Sequence, residues 1–156
     1  MKIALLVLLA AAAAEQKQKI ASVRYLVGTW NCEHTVGTFS GAYTTKYATA
    51  MDDVWLRQTY EFPDNTAEAL MVYSPQRKYW VRFFGNSEGL AFAIRMTDTP
   101  TGWAWKYVSI AKDRKPETAE PDATFTKRSE TEYAIDGPSY PKDGVQVTEH
   151  HVCKKL

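Results

Sequence analysis

At 156 residues, with 45% hydrophobic and 13% aromatic side chains, the chain is sized for one domain with a substantial core. Its formal charge is +1. Lys and Arg are scattered and form no long block, so the whole-molecule field favours neither nucleic acid nor an anionic membrane.

The chain reads Met1-Lys2 and then Ile3 to Ala14 without a polar side chain. A short basic start, an apolar run and the small residues Ala12-Ala13-Ala14 are the pattern of an export signal, with cleavage expected before Glu15. The run falls short of the roughly 20 apolar residues a membrane span requires, and Glu15-Gln16-Lys17-Gln18-Lys19 ends it. No cysteine follows it to carry a lipid. The sequence thus divides into a signal peptide, 1–14, and a domain, 15–156, expected to be secreted or periplasmic with no membrane anchor after cleavage. The signal is expected to stand apart from the domain. In an oxidising compartment the two cysteines, Cys32 and Cys153, read as one disulfide; two unpaired thiols are the alternative.

Ile20, Val23, Leu26 and Val27 share one face of a short helix predicted over Gln18 to Val27, which Gly28 ends. From Trp30 onward Thr, Tyr, Val, Trp and Phe dominate, in runs broken by turn chemistry. Gly37 and Gly41 bracket one tight connection. Met51-Asp52-Asp53, Pro63-Asp64-Asn65, Ser74-Pro75-Gln76, Gly85 to Gly89 and Thr99 to Gly102 mark others. Asp136-Gly137-Pro138 is expected to start the last connection and Asp143-Gly144 to end it. Lys112 to Asp122 is charged, holds Pro116 and Pro121, and reads as an exposed loop.

The strands alternate. Ala69, Met71 and Tyr73 share a face; so do Trp80, Arg82 and Phe84; so do Leu90, Phe92, Ile94 and Met96; so do Trp103, Trp105 and Tyr107. About eight to ten strands joined by hairpins predict an all-β antiparallel up-and-down barrel, since closure removes the sheet edges. An immunoglobulin-like sandwich fits less well, because no long crossover is visible.

Leu26-Val27-Gly28-Thr29-Trp30 resembles the Gly-x-Trp signature of the lipocalin and fatty-acid-binding superfamily. Gly-Thr-Trp-x-Cys, then Val72 to Tyr79, then Cys153 near the end, is similar to a family of small exported bacterial lipocalin-like (calycin-type) barrels of unknown function. The resemblance implies a ligand-binding barrel whose signature tryptophan is covered by a basic side chain from near the last strand. It also has a haem-binding branch, the nitrobindins, whose haem histidine lies near the C-terminus.

Closure of an even-stranded barrel pairs its first and last strands antiparallel. With Cys32 opposite Cys153, His34 falls opposite His151 and Trp30 opposite Lys155, all on one face. Lys155 would then be the basic cover over Trp30 through a cation–π contact. A one-residue slip would abolish this register.

Two candidate sites follow. Tyr47, Tyr60, Trp80, Arg82, Phe84, Phe92, Trp105 and Tyr107 can line a cavity for a small apolar or amphipathic molecule, or they can simply fill the core. Arg82, if inward, can meet a ligand carboxylate in two-pronged fashion, although such an arginine more often faces out. His34 and His151 can hold a metal or one axial site of a haem, or serve as ordinary polar residues; His150 points to the other face. No cofactor is otherwise indicated. The chain has no Gly-x-Ser-x-Gly elbow, zinc-protease helix or phosphate loop, and it reads as a binding protein. The alternatives are the haem or metal barrel, and a solidly packed barrel that binds another protein.

Overall fold

Alternation of apolar and polar residues turns ten segments into strands that hydrogen-bond in chain order and close on themselves. The structure is a computed structural model describing residues 2–108, 122–142 and 144–156. Helix α1 (Lys2–Ser22) and a 3-10 turn (Arg24–Leu26) precede β1 (Gly28–Val36), β2 (Phe39–Ala50), β3 (Trp55–Glu61), β4 (Thr66–Ser74) and β5 (Tyr79–Asn86). Then come β6 (Ala91–Thr99), β7 (Gly102–Val108), β8 (Ala123–Lys127), β9 (Glu132–Lys142) and β10 (Val145–Lys155). Each strand pairs antiparallel with its chain neighbour, and β10 returns to β1: a closed up-and-down barrel.

The seam has the register that the cysteines propose. Trp30 faces Lys155, Cys32 faces Cys153 and His34 faces His151. Leu156 N–H donates to Thr29 C=O, so Thr29 and Leu156 form a hydrogen-bonded rung. Three rungs along, Cys32 and Cys153 therefore sit in the closer, non-hydrogen-bonded kind of pair. Their Cα atoms are 4.0 Å apart and their sulfurs are bonded. Lys155 Nζ lies 5.5 Å from the Trp30 ring centroid and donates to the Tyr25 carbonyl, while Trp30 Nε1 donates to the Leu26 carbonyl. Gly28, at φ 131°, makes room for this: a Cβ there would come within 2.9 Å of Lys155 Cε.

The N-terminal helix differs from its sequence reading. One helix runs from Lys2 to Ser22, and the predicted 18–27 helix is split at Val23. Val23 N–H reaches only three residues back to Ile20, tightening the turn, and Val27 is already extended. Ile20, Val23 and Leu26 are still buried, capping one end of the barrel. Glu15 pairs with Lys78, Gln16 donates to the Tyr73 carbonyl and Lys19 pairs with Asp98, so residues from Glu15 onward belong to the barrel's closed end. Among the described residues no helix is long and apolar enough to cross a membrane.

Two turn assignments and one strand assignment need correction. Gly41 lies inside β2, not in a turn. Leu90 precedes β6 and is exposed. Asp136-Gly137-Pro138 lies within β9, not at its end; the strand bulges there opposite Glu149, so the ladder survives a sequence that reads as a break. The loop read at 112–122 falls, apart from Asp122, outside the described residues.

Asp98 holds the closed end together. Its Oδ1 accepts Trp80 Nε1 at 3.0 Å and Trp103 Nε1 at 3.1 Å, and Oδ2 pairs with Lys19. Asp98→Ala leaves two indole N–H groups unpaired, so unfolding in urea should show a loss of about 2–4 kcal/mol. Asp98→Asn retains an acceptor and should lose about half as much. Equal losses would mean that the carboxylate charge, not the indole bonds, matters.

Candidate functional site

The barrel interior is filled at one end and open at the other. At the helix-capped end Trp80 meets Trp103 edge-on at 5.7 Å, Trp103 meets Phe125 at 4.9 Å, and Phe125 stacks on Tyr133 at 4.7 Å. Tyr133 meets Trp30 at 4.8 Å, and its hydroxyl lies 3.3 Å from that of Tyr47. Two of the eight residues read as cavity-lining, Tyr47 and Trp80, thus belong to this packed floor. Burial pushes the Tyr47 and Tyr133 hydroxyls well above the ordinary tyrosine range, so both stay protonated.

The other six, Tyr60, Arg82, Phe84, Phe92, Trp105 and Tyr107, line one cavity of about 270 Å³ at the opposite end. His34 and His151 line it as well, which brings the two sequence-derived candidate sets into one place. Sequence reasoning missed Val36, Tyr43, Phe62, Ile135, Gly137, Pro138 and Glu149. Tyr43 shares the inward parity of Tyr47 four residues on, and Phe62 that of Tyr60, so those two had a readable signal. Gly137 and Pro138 carried none, because the bulge that brings them to the cavity resembles a turn in sequence.

Arg82 faces inward from β5, between Trp80 and Phe84, and is only 4% exposed. Of the two placements open to it in sequence, Arg82 takes the inward one. Its guanidinium sits 5.8, 5.3 and 5.4 Å from the ring centroids of Tyr60, Phe84 and Trp105, and Nη2 donates to the Tyr60 hydroxyl. No carboxylate pairs with it among the described residues. The aromatic faces offset part of the cost of burying the charge. Burial raises Tyr60 above its ordinary range, partly opposed by Arg82, and pushes Tyr107 up to about 12. The phenols thus stay neutral and are not counter-ions to Arg82.

On the facing wall His34 of β1 stacks on His151 of β10, with centroids 5.7 Å apart and planes 22° apart. His151 Nδ1 lies 3.1 Å from the Tyr43 hydroxyl, and its Nε2 is 3.6 Å from Glu149 Oε2. His34 lies over Gly41, where a Cβ would come within 2.6 Å of Cε1. His150 points outward and pairs with Asp136. The two rings stack, and His151 is in contact with both Tyr43 and Glu149. Among the described residues no three potential ligands cluster. The cavity that these histidines border is at the small end for ligand pockets.

The chain matches no protein-family model, and no curated protein shows detectable similarity to it. A wider groove of about 780 Å³ lies across the outer surface of β1, β2 and β10 and is lined by solvent-facing Asn31, Glu33 and Lys154.

Burial, followed by the neighbouring His151, holds His34 below the usual histidine range; Glu149 acts in the opposite direction. With its folded value depressed, His34 binds fewer protons folded than unfolded below about pH 6.5. Its contribution is present above that pH and is lost as pH falls through the folded value. The melting temperature should therefore drop between pH 7 and pH 5, and His34→Phe should flatten that slope. An unchanged slope would assign the effect to another group.

Proposed function

We propose that this protein is an exported, lipocalin-like barrel that binds a small apolar or amphipathic molecule, with an anionic group of the ligand held by Arg82. One observation carries the reading: a buried guanidinium borders the cavity with no carboxylate partner among the described residues. An arginine presents five N–H donors and stays charged, and Tyr60 accepts only one of those bonds. A carboxylate entering the cavity would supply the missing charge, while Phe62, Phe84 and Phe92 cover the rest of the ligand. The Gly-Thr-Trp signature, Lys155 over Trp30 and the closed barrel support the lipocalin-like reading. The apolar stretch Ile3 to Ala14 and the Cys32–Cys153 disulfide support export.

Native mass spectrometry of the purified protein, followed by calorimetric titration with dodecanoate and with dodecanol, tests this. The expected result is a co-purifying or added acid that binds at least tenfold more tightly than the alcohol. Equal binding of the two would remove Arg82 as the anchor, and binding of neither would remove the function.

A further inference from the structure

The two walls of the cavity together specify what lies at the far end of the ligand. Arg82 stands on β5 and His151 on β10, five strands apart in a ten-strand ring, so they occupy opposite sides of the barrel. His34 is next to His151 on β1. A molecule anchored at Arg82 and filling the cavity ends against this histidine wall.

The chemistry of that wall follows from His34. Among the described residues neither of its ring nitrogens has a hydrogen-bond partner, and Nδ1 is also shut off from solvent. Nε2, also without a partner, is not sealed off in this way, so it is the ring nitrogen with open surface. A neutral imidazole has one N–H and one lone pair. Sealing an N–H away without a partner is the rarer and costlier arrangement. The proton therefore belongs on Nε2, which makes His34 a donor at the open edge of the ring. The cavity then has donors at both ends, the guanidinium on one wall and the imidazole on the other.

Aromatic rings in contact with one another border the space between the walls, and its volume is small. Phe84 stacks on Phe92 at 4.7 Å and Phe92 meets Tyr107 at 5.3 Å. With about 270 Å³ available, a compact ring fits this space better than an extended chain.

Building on the function proposed above, we infer that the ligand class is a compact aromatic carboxylate carrying a hydrogen-bond acceptor across the ring, the acid held by Arg82 and the acceptor by His34 Nε2–H. Calorimetric titration of the full chain with 4-acetylbenzoate and with its apolar isostere 4-isopropylbenzoate tests this. One neutral hydrogen bond separates the two, so the acetyl compound should bind about three- to tenfold more tightly. His34→Phe should bring that ratio to about one while leaving 4-isopropylbenzoate binding unchanged. His34→Gln, which retains a donor, should keep part of the preference. A wild-type ratio of one, or a ratio that survives in His34→Phe, overturns the inference; should the variants fail to fold, the wild-type ratio decides. Arg82-dependent binding of dodecanoate with neither benzoate bound overturns this ligand class and leaves the broader function standing. Absence of binding by every acid overturns both.

Discussion

Replacing Cys32 and Cys153 together by alanine should lower the stability of the barrel by about 4–5 kcal/mol at most, the largest loss of any single interaction in the fold. The bond joins the first strand to the last across 121 positions. In the unfolded chain it removes much of the freedom of nearly the whole domain, and loop-closure entropy grows with the length enclosed. Both cysteines are buried, at 1% and 0% exposure, so alanine also loses apolar contact but leaves no polar group unpaired. For a domain of this size the melting temperature should fall by roughly 10–20 °C. Thermal melts of the variant, and of the wild type refolded with and without reductant, measure it. A change below about 1 kcal/mol would show that the β1–β10 hydrogen bonds alone close the barrel and that the bond adds little.

Arg82→Met should do the opposite. The substitution keeps an unbranched, flexible side chain of similar bulk but removes a charge that has no carboxylate partner among the described residues. Replacing a buried charge with an apolar side chain is often neutral or stabilising, so the melting temperature should hold or rise. Binding of a carboxylate should weaken by about ten- to a hundredfold, the worth of charged hydrogen bonds made in a dry site. Arg82→Lys keeps the charge but loses the planar fork and the stacking on Tyr60, Phe84 and Trp105, and should recover only part of the affinity. Titration calorimetry and thermal melts on the same samples separate the two effects. An Arg82→Met protein that melts lower and binds acids normally would make Arg82 a structural residue, with its aromatic contacts as its role.

Much of the fold was legible because a strand has a period of two. Parity alone puts Ala69, Met71 and Tyr73 on one face, and Trp103, Trp105 and Tyr107 on another, and these residues do turn inward. The seam was legible for a second reason. Closure of an even-stranded barrel and a single cysteine pair leave one simple register, and Trp30, Cys32 and His34 meet Lys155, Cys153 and His151 in it. Where parity fails, so did the reading: the bulge at Gly137-Pro138 looks like a turn because both residues favour turns.

Alternation of side chains along each strand and the pairing of two cysteines thus determined the barrel and its closure from sequence. Only the tertiary structure decided which inward residues pack and which leave space. Tyr47 of β2 and Tyr60 of β3 both face inward, yet one sits in the floor against Tyr133 and the other beside Arg82 in the cavity. Parity assigns a face, but free volume depends on how side chains from ten strands and the capping helix add up at each level of the barrel. Alternation put Arg82 on one face with Trp80 and Phe84, but only the assembled barrel surrounded its guanidinium with the rings of Tyr60, Phe84 and Trp105.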